Sequence, residues 1–351
     1  MPQTGRLTET SGSLPLVLVP TADPERSADA AVAYLGDPQA RIADRLAEHG
    51  AILLRGFDLG DPAAFERAAR AIDGELKNNY LGTSPRDALT PYVFSASELP
   101  GYYPIPQHCE MSFLKEPPRR LFFCCLQPSD GEGGETPLCD FRRVAADLPA
   151  PVLERFEHRG VRIIRNYCGP SGGSRWDLWK LKRWDEMFQT TDRAAVQASC
   201  RENGFEATFY GHDRLRLIHC QPAVIRHPRS GDKVWFNHSQ VFHLSAASGE
   251  YRRIAARQGP ALKYHFLAAF AATLAAIKAR TLAPEDQALH CTFGDGAEIP
   301  DSDMEEVRTA IWKNLVAFKW RQGDVLAIDN FAISHGRMPY HGPRRVAVCW
   351  A

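Results

Sequence analysis

The stretch Gln107-His108-Cys109-Glu110-Met111-Ser112-Phe113 places a histidine and a glutamate two positions apart. In an extended segment His108 and Glu110 leave the same face, because strand side chains alternate with a period of two. An imidazole and a carboxylate side by side can bind two positions of one divalent metal ion. A further histidine would complete a two-His-one-carboxylate triad, which suits non-haem Fe(II) and O2 chemistry. A single His-x-Glu also occurs by chance, so the rest of the chain must support this hypothesis.

The C-terminal part of the chain offers the third ligand. Residues 323–330 are typical of a turn and a strand, and they are followed by His335 and by the pair Arg344-Arg345. His335 is the candidate third metal ligand. An arginine on the returning strand could bind the carboxylate of a metal-chelating cosubstrate, since guanidinium binds carboxylate in a bidentate way. The alternatives are a histidine without a special role and a surface arginine pair.

Composition excludes several other classes of function. The 351 residues are 44% hydrophobic and 24% charged, with 42 basic and 42 acidic side chains and a formal net charge of +0. Basic residues are not in excess over acidic ones, so the composition does not indicate a nucleic-acid partner. No apolar run is long enough to predict a membrane-spanning helix. The polar N-terminus lacks the layout of a signal peptide, so we expect a cytoplasmic protein. The nine cysteines include no Cys-x-x-Cys and predict reduced thiols.

Helix and strand signals are mixed along the chain. Residues 1–15 predict a flexible leader, residues 51–57 a buried strand with a turn, and residues 62–72 a helix with Asp61 as its N-cap. Residues 120–126 predict a core strand. Helical patterns then occupy much of residues 253–283 and 303–317, where an amphipathic stripe is more often core than a cofactor site.

Two polar residues between the N-terminal helices and the C-terminal part of the chain, Thr136 and Arg86, are candidates for ligand binding. Thr136 follows a glycine-rich turn, and its hydroxyl could donate to an anionic ligand, although a strand threonine is more often structural. Arg86 lies in a polar loop near the metal stretch in sequence. It is interpreted either as a clamp for a substrate carboxylate or as a solvated surface charge.

The motifs together resemble a known family. His108-x-Glu110, Gly133-Gly134-Glu135-Thr136, Asp329-Asn330 with His335, and Arg344-Arg345 occur in this order. In this respect the chain resembles the Fe(II)/2-oxoglutarate-dependent oxygenases of the taurine dioxygenase and clavaminate synthase-like superfamily, from about residue 40 to the end. The stretches at residues 108–113, 234–237 and 335–340 look most similar to the branch that contains the syringomycin biosynthesis hydroxylase.

The resemblance implies an α+β fold with a double-stranded β-helix, or jelly-roll, core flanked by helices. It implies one oxygenase domain over residues 16–351, with a helical insert around residues 245–320. The implied cofactor is Fe(II), with 2-oxoglutarate and O2 as cosubstrates. The implied metal ligands are His108, Glu110 and His335. Thr136 and Arg345 are implied to bind the distal carboxylate of 2-oxoglutarate. Arg344 remains open for this role, because the loop after His335 is slightly shorter than in taurine dioxygenase.

The resemblance also bears on the reaction. Halogenases of the superfamily have a small residue where this chain has Glu110, so we expect oxygenation. The sulfonate arginine of taurine dioxygenase lies four positions beyond the cosubstrate arginine, where this chain has Cys349, and this disfavours a sulfonate substrate. The branch implies hydroxylation of an unactivated C–H bond of an amino acid, or of an aminoacyl group on a peptidyl carrier protein, in specialised metabolism. The candidate substrate-binding residues are Ser84, Arg86 and Asn237.

Other activities remain as alternatives at this point. Epoxidation, desaturation and cyclisation of a small natural-product intermediate would use the same cofactors. A zinc hydrolase would use the same three ligands with water, but it would need neither Thr136 nor an arginine at position 345. A non-catalytic binding protein on the same fold is the third class. We expect no nucleic-acid partner and no membrane association.

Overall fold

The computed structural model describes residues 8–10, 14–82, 86–97, 99–170, 183–257 and 262–351. The α-helices are α1 (Ala28–Gly36), α2 (Ile42–His49), α3 (Pro62–Ile72), α4 (Phe141–Asp147), α5 (Ala150–Arg159), α6 (Trp184–Phe188), α7 (Arg193–Glu202), α8 (Ser239–Phe242), α9 (Ala246–Arg257), α10 (Leu262–Thr281) and α11 (Asp301–Lys313). Short 3-10 helices occupy Asp23–Arg26, Pro38–Ala40 and Pro284–Asp286. Among the described residues, no helix combines the length and the apolar character needed to cross a bilayer.

The strands are β1 (Thr8–Thr10), β2 (Leu16–Val19), β3 (Ala51–Leu54), β4 (Phe94–Ser95), β5 (Ile105–His108), β6 (Arg120–Gln127), β7 (Leu138–Asp140), β8 (Val161–Tyr167), β9 (Glu206–Tyr210), β10 (Arg214–Gln221), β11 (Val224–Arg226), β12 (Lys233–Trp235), β13 (Leu289–Phe293), β14 (Leu315–Val316), β15 (Val325–Asp329), β16 (Ile333–Arg337) and β17 (Arg345–Trp350).

Two sheets form the centre of the fold. The larger has the order β1-β2-β3-β15-β6-β17-β4, and the smaller has the order β14-β7-β16-β5. Their pairings are antiparallel, except that β2 runs parallel to β3. A third sheet, β13-β8-β10-β9, and the hairpin β11-β12 complete the strands of the described residues. This is the predicted α+β fold with a double-stranded β-helix, or jelly-roll, core flanked by helices.

The larger sheet is buried on both faces. Along β6, Leu121 and Phe123 face the cluster between the sheets, whereas Phe122 and Cys124 face a second cluster with the N-terminal helices. Burial on both faces explains why this strand is a continuous apolar run and does not alternate. Helix α3 covers the outer face and begins at Asp61, as predicted, because the Asp61 carboxylate accepts the N–H groups of residues 63 and 64.

Two predicted boundaries need comment. Thr8–Thr10, inside the range predicted as a leader, pairs antiparallel with β2, so these three residues depart from that prediction. Residues 245–320, predicted as a helical insert, contain α9, α10 and α11. They also contain β13, which extends the third sheet by pairing with β8.

Candidate metal and anion site

Three potential metal ligands converge between the two central sheets. Ligand atoms of His108, Glu110 and His335 all lie within 4.8 Å of one another. The Nε2 atom of His335 is 3.7 Å from Oε2 of Glu110, and the two imidazole centroids are 4.3 Å apart. Glu110 and His335 are buried and His108 is half-buried. The structure therefore brings together the three residues that the sequence predicted as a triad.

Strand pairing places the two histidines side by side. His108 ends β5 and His335 lies in β16, and the register of the two strands pairs these residues directly. Glu110 is not on the strand, as the simple alternation assumed, but begins a turn in which Met111 has a positive φ of 50°. The turn is fixed by Asn330, whose side chain accepts the N–H of Glu110 at 2.7 Å and donates to its C=O at 3.0 Å.

The environment keeps His108 in a form that can bind a metal. Its Nδ1 lies 2.9 Å from the carbonyl oxygen of Pro106, so Nδ1 carries the proton and the Nε2 lone pair is free. Burial, and then the neighbouring His335, lower the pKa of His108 to about 4. The ring is consequently neutral at pH 7, as metal ligation requires.

Glu110 is held ionised by a buried arginine. Burial alone would raise the pKa of Glu110, but the Arg86 charge, the hydrogen bond from His335 and the neighbouring His108 outweigh it and hold that pKa well below its usual range. The Nη2 atom of Arg86 donates to Oε2 of Glu110 at 3.0 Å and to the Tyr80 hydroxyl at 3.1 Å. Only 7% of the Arg86 side chain is exposed, so the alternative of a solvated surface charge is wrong.

A second group of polar residues lies beside the triad. The Thr136 hydroxyl accepts a hydrogen bond from Nε1 of Trp320 at 3.1 Å and another from Nη2 of Arg344 at 3.2 Å. Nε of Arg344 also donates to the carbonyl of Gly134 at 2.7 Å. Burial, and then the charge of Arg337, lower the pKa of Arg344 to about 10. The described residues give the Arg344 guanidinium no carboxylate partner, which makes this corner a potential anion site.

The backbone connects this anion corner to the triad. The N–H groups of Gly336 and Met338 donate to the carbonyls of Pro137 and Glu135, which flank Thr136, each at 3.1 Å. Further along the same pair of strands, Leu138 of β7 is paired with His335 of β16. Thr136 thus lies two residues before Leu138, the residue paired with the candidate metal ligand His335.

The preference for Arg345 over Arg344 as the partner of Thr136 is corrected. Arg345 begins β17 with an exposed side chain, whereas Arg344 donates directly to the Thr136 hydroxyl. The register of β17 against β6 shifts between Arg345 and Val346. The extra residue lies on β6, at Leu126, and leaves the alternation of β17 regular. Val346, Val348 and Trp350 face the cluster between the sheets, so alternation continued back from β17 puts position 344 on that side and position 345 on the other.

The two other predicted substrate residues are Ser84 and Asn237. Ser84 lies outside the described residues. Asn237 is fully buried, and its side chain is occupied by backbone partners: Nδ2 donates to the carbonyl of Ala223 at 2.8 Å, and Oδ1 accepts the N–H of Ser239 at 2.9 Å. The substrate-binding prediction for Asn237 is therefore corrected to a structural role.

Sequence reasoning missed three residues near the triad. His238 lies 5.5 Å from His108 between ring centroids and hydrogen-bonds to the Ser112 hydroxyl at 2.7 Å. Trp320 donates to Thr136, as described above. Arg165 is buried and lies against the ring of Phe113. Of these, only Arg165 has a readable signal, because it interrupts an otherwise apolar inward row of β8.

Comparison with known proteins places this site in a family. Residues 19–350 match the family described as Taurine catabolism dioxygenase TauD, TfdA family. The chain is 30% identical over 307 residues to the dapdiamide synthesis protein DdaC of Enterobacter agglomerans, covering 88% of this chain and 83% of that protein. It is 28% identical over 310 residues to a clavaminate synthase-like protein of Arabidopsis thaliana, covering 86% and 81% of the two chains.

Solved structures agree with the architecture. PvcB, described as an Fe, alpha-ketoglutarate dependent oxygenase from an isonitrile synthetic pathway, superposes with a TM-score of 0.51 at 15% identity, covering 100% of this chain and 92% of PvcB. A putative alpha-ketoglutarate-dependent taurine dioxygenase from Burkholderia xenovorans gives a TM-score of 0.50 at 13% identity, covering 98% and 89%. At these identities the likeness supports the fold alone.

Proposed function

Because the chain belongs to the taurine catabolism dioxygenase TauD, TfdA family and is an Fe(II)- and 2-oxoglutarate-dependent dioxygenase, we propose that it hydroxylates an unactivated C–H bond of an amino acid or of a carrier-bound aminoacyl group. The family establishes the cofactors and the class of reaction. The substrate and the role of each residue are the proposal, and contacts between the described residues support both.

The donor set fits Fe(II). His108 and His335 supply two imidazoles and Glu110 one carboxylate, the combination of ligands found in non-haem Fe(II) oxygenases with open metal positions. His108 is neutral with a free Nε2, and Glu110 is ionised. When bound, Fe(II), 2-oxoglutarate and O2 supply an oxidation that leaves one oxygen atom on the substrate and converts 2-oxoglutarate to succinate and CO2.

The anion corner fits the distal carboxylate of 2-oxoglutarate, and this observation carries the assignment. The oxygen of Thr136 already accepts two N–H groups, from Trp320 and Arg344, so its hydroxyl proton is free to be donated to a third group. The Arg344 guanidinium supplies charge without a carboxylate partner. A carboxylate held between these donors would receive charge-assisted hydrogen bonds beside the metal ligands.

The other residues around the triad position the reacting groups and exclude water. Phe123 lies 5.0 Å from His335 between ring centroids and forms part of an apolar wall. Arg86 holds one oxygen of Glu110, which limits the orientations that this carboxylate can adopt. A rigid, dry wall keeps a target C–H bond near the metal, and such positioning supplies much of the rate enhancement in enzymes.

Three observations support the substrate class. Glu110 occupies the position that is small in halogenases of the superfamily, which favours oxygenation. With Arg344 as the cosubstrate arginine, the position four residues further on is Val348, which is apolar and fully buried. No guanidinium is therefore available there for a sulfonate. DdaC is named for the synthesis of dapdiamide, and this likeness supports a role in specialised metabolism.

Anaerobic titration tests the proposal. Metal-free protein is titrated with Fe(II) and then with 2-oxoglutarate, and the visible metal-to-ligand charge-transfer band of the ternary complex is recorded. We expect the band in the wild type and its loss in His108→Ala. Carboxylate-bearing and carrier-bound amino acids are then tested for hydroxylated product and succinate in equal amounts. Folded protein that binds Fe(II) but gives no band would contradict the cosubstrate assignment.

A further inference from the structure

Arg165 is a charged residue in an apolar row. The side chains of β8 that face the core are Val161, Ile163, Arg165 and Tyr167, since residues two apart share a face. Arg165 is only 1% exposed. An arginine so completely buried normally has an acidic partner, because an unpaired charge in the interior is costly.

The described residues offer Arg165 no such partner. Its one described hydrogen bond is a marginal contact of 3.5 Å from Nη1 to the carbonyl of Leu81, and the buried Nη2 has no partner. The guanidinium lies 4.1 Å from the ring centroid of Phe113 and 4.9 Å from that of Phe205. Aromatic faces compensate part of a cation's desolvation, but they do not satisfy its N–H groups.

A second unsatisfied donor lies next to it. The hydroxyl of Tyr167 is buried, its oxygen faces the Arg165 guanidinium, and its proton has no acceptor among the described residues. Tyr167 is two residues from Arg165 on the same face of β8. A buried guanidinium N–H and a neighbouring hydroxyl proton that have no acceptor among the described residues form a pair of donors suited to a carboxylate.

A series of ring contacts connects this pair to the triad. Phe113, which stacks on Arg165, is 5.0 Å from His238 between ring centroids, and His238 is 5.5 Å from His108. None of the groups that contact Arg165 contacts Arg344, so the two cations belong to different subsites. Arg86 is a different case, because its charge is matched by Glu110 at 3.0 Å.

We propose that Arg165, with Tyr167, binds a free carboxylate of the substrate, and that this carboxylate is the α-carboxylate of an unloaded amino acid. A thioester on a carrier protein has a neutral carbonyl at that position and would leave the guanidinium without a counter-charge. The inference rests on the proposed function and narrows its substrate class. A side-chain carboxylate of an acidic aminoacyl group would satisfy the same chemistry.

Calorimetric binding tests the subsite without turnover. Protein loaded with Fe(II) and 2-oxoglutarate under anaerobic conditions is titrated with the common L-amino acids and with their C-terminal amides. We expect at least one free acid to bind and its amide to bind at least about 30-fold more weakly. Arg165→Met should raise the Kd of that acid by a similar factor. If the C-terminal amides of aspartate and glutamate bind as tightly as the free acids, and Arg165→Met loses this binding, then Arg165 binds the side-chain carboxylate and not the α-carboxylate.

The matched control is Arg162→Met. Arg162 lies on the same strand but on the opposite face, where it pairs with Glu285 at 2.8 Å, and its replacement should leave ligand binding unchanged. Three results would overturn the proposal. Arg165→Met could bind the acid as tightly as the wild type, or amides with neutral side chains could bind as well as the acids. The third is that no acid binds to protein that shows a normal charge-transfer band. Absence of that band in the wild type would instead contradict the proposed function.

Stability without ligand gives a second readout. A buried cation kept for a ligand reduces the stability of the empty protein, so Arg165→Met should melt at the same temperature as the wild type or higher. The wild type should gain thermal stability from the bound acid, and the variant should not. A variant that melts well below the wild type would mean that Arg165 supports the core, and it would overturn the ligand role.

Discussion

The side-chain amide of Asn330 binds both main-chain polar groups of Glu110. The Glu110 N–H donates to Oδ1 at 2.7 Å, and Nδ2 donates to the Glu110 carbonyl at 3.0 Å and to the carbonyl of Pro118 at 2.8 Å. Asn330 is fully buried and lies five residues before His335. One amide thus links the turn that carries Glu110, the candidate acidic ligand, to the segment that leads into the strand of His335.

Replacement of this amide should weaken metal binding. In Asn330→Ala the Glu110 turn loses its anchor, and we expect the affinity for Fe(II) to fall about 10- to 100-fold, the usual effect of removing a group that orients a metal ligand. The buried main-chain groups left unpaired should also lower the free energy of unfolding by about 1–3 kcal/mol. Anaerobic Fe(II) titration and urea unfolding measure the two effects.

The control for this variant is Asn203→Ala. Asn203 follows helix α7 and donates to the carbonyl of Ser199 at 2.9 Å, so it also makes a side-chain to backbone hydrogen bond, but away from the triad. The Asn203→Ala substitution should leave the Fe(II) affinity unchanged. Equal Fe(II) affinity in Asn330→Ala and wild type would show that the turn holds Glu110 without this amide.

The two adjacent arginines should differ sharply in cosubstrate binding. Arg344→Met removes the guanidinium that donates a hydrogen bond to Thr136. Loss of a paired charged contact costs about 2–5 kcal/mol, so the Kd for 2-oxoglutarate should rise by about 30-fold or more. Arg345→Met removes an exposed charge and should change that Kd little. Titration of the charge-transfer band measures both constants. The reverse result would restore the assignment to Arg345.

The hydroxyl of Thr136 should matter through its proton. Both lone pairs accept N–H groups, from Trp320 and Arg344, so the proton can be donated only elsewhere. Thr136→Val keeps the shape of the side chain and removes the donor. The Kd for 2-oxoglutarate should rise about 10- to 100-fold, since a hydrogen bond to a charged group is worth about 1.5–3 kcal/mol. Thr136→Ser should retain most of the affinity, and equal losses in the two variants would contradict the donor role.

Regular periodicity made much of the fold predictable. The helix predicted over residues 62–72 has these bounds in the structure, and the core strand at residues 120–126 is β6 with one more residue. The jelly-roll arrangement came from the family resemblance, because pairing between β5 and β16 joins residues more than two hundred positions apart. Periodicity describes which face of an element is apolar and contains nothing about such distant partners.

The site was predictable where residue type decides the chemistry and not where local geometry does. His108, Glu110 and His335 were found from their ligand chemistry and the motif order. The preference for Arg345 over Arg344 followed the spacing of the family motif, whereas the inward row of β17, which includes Val346 and Val348, continues back to position 344. Asn237 was misassigned because its side chain binds backbone groups, the carbonyl of Ala223 and the N–H of Ser239. Such partners leave no signal in the residue types of the sequence.

A buried glutamate away from the triad gives the protein a pH-dependent stability. Burial raises the pKa of Glu250 to about 7, although the charges of Arg253 and Arg308 and a hydrogen bond from Trp312 oppose the shift. The unfolded chain releases this proton near pH 4.3. Between these values the folded state binds more protons than the unfolded state. The contribution of Glu250 to the free energy of unfolding is therefore fully present below about pH 4 and is lost as the pH rises to about 7.

The variant Glu250→Gln removes this titration. Its amide can still accept the Trp312 N–H that Glu250 accepts at 3.2 Å. We therefore expect the free energy of unfolding of the wild type to fall, relative to the variant, by on the order of 2–3 kcal/mol between pH 4 and pH 8. Urea unfolding at several pH values measures the difference, and Glu154→Gln on the exposed face of α5 is the control. Parallel pH profiles for the wild type and Glu250→Gln would show that folding does not raise the pKa of Glu250.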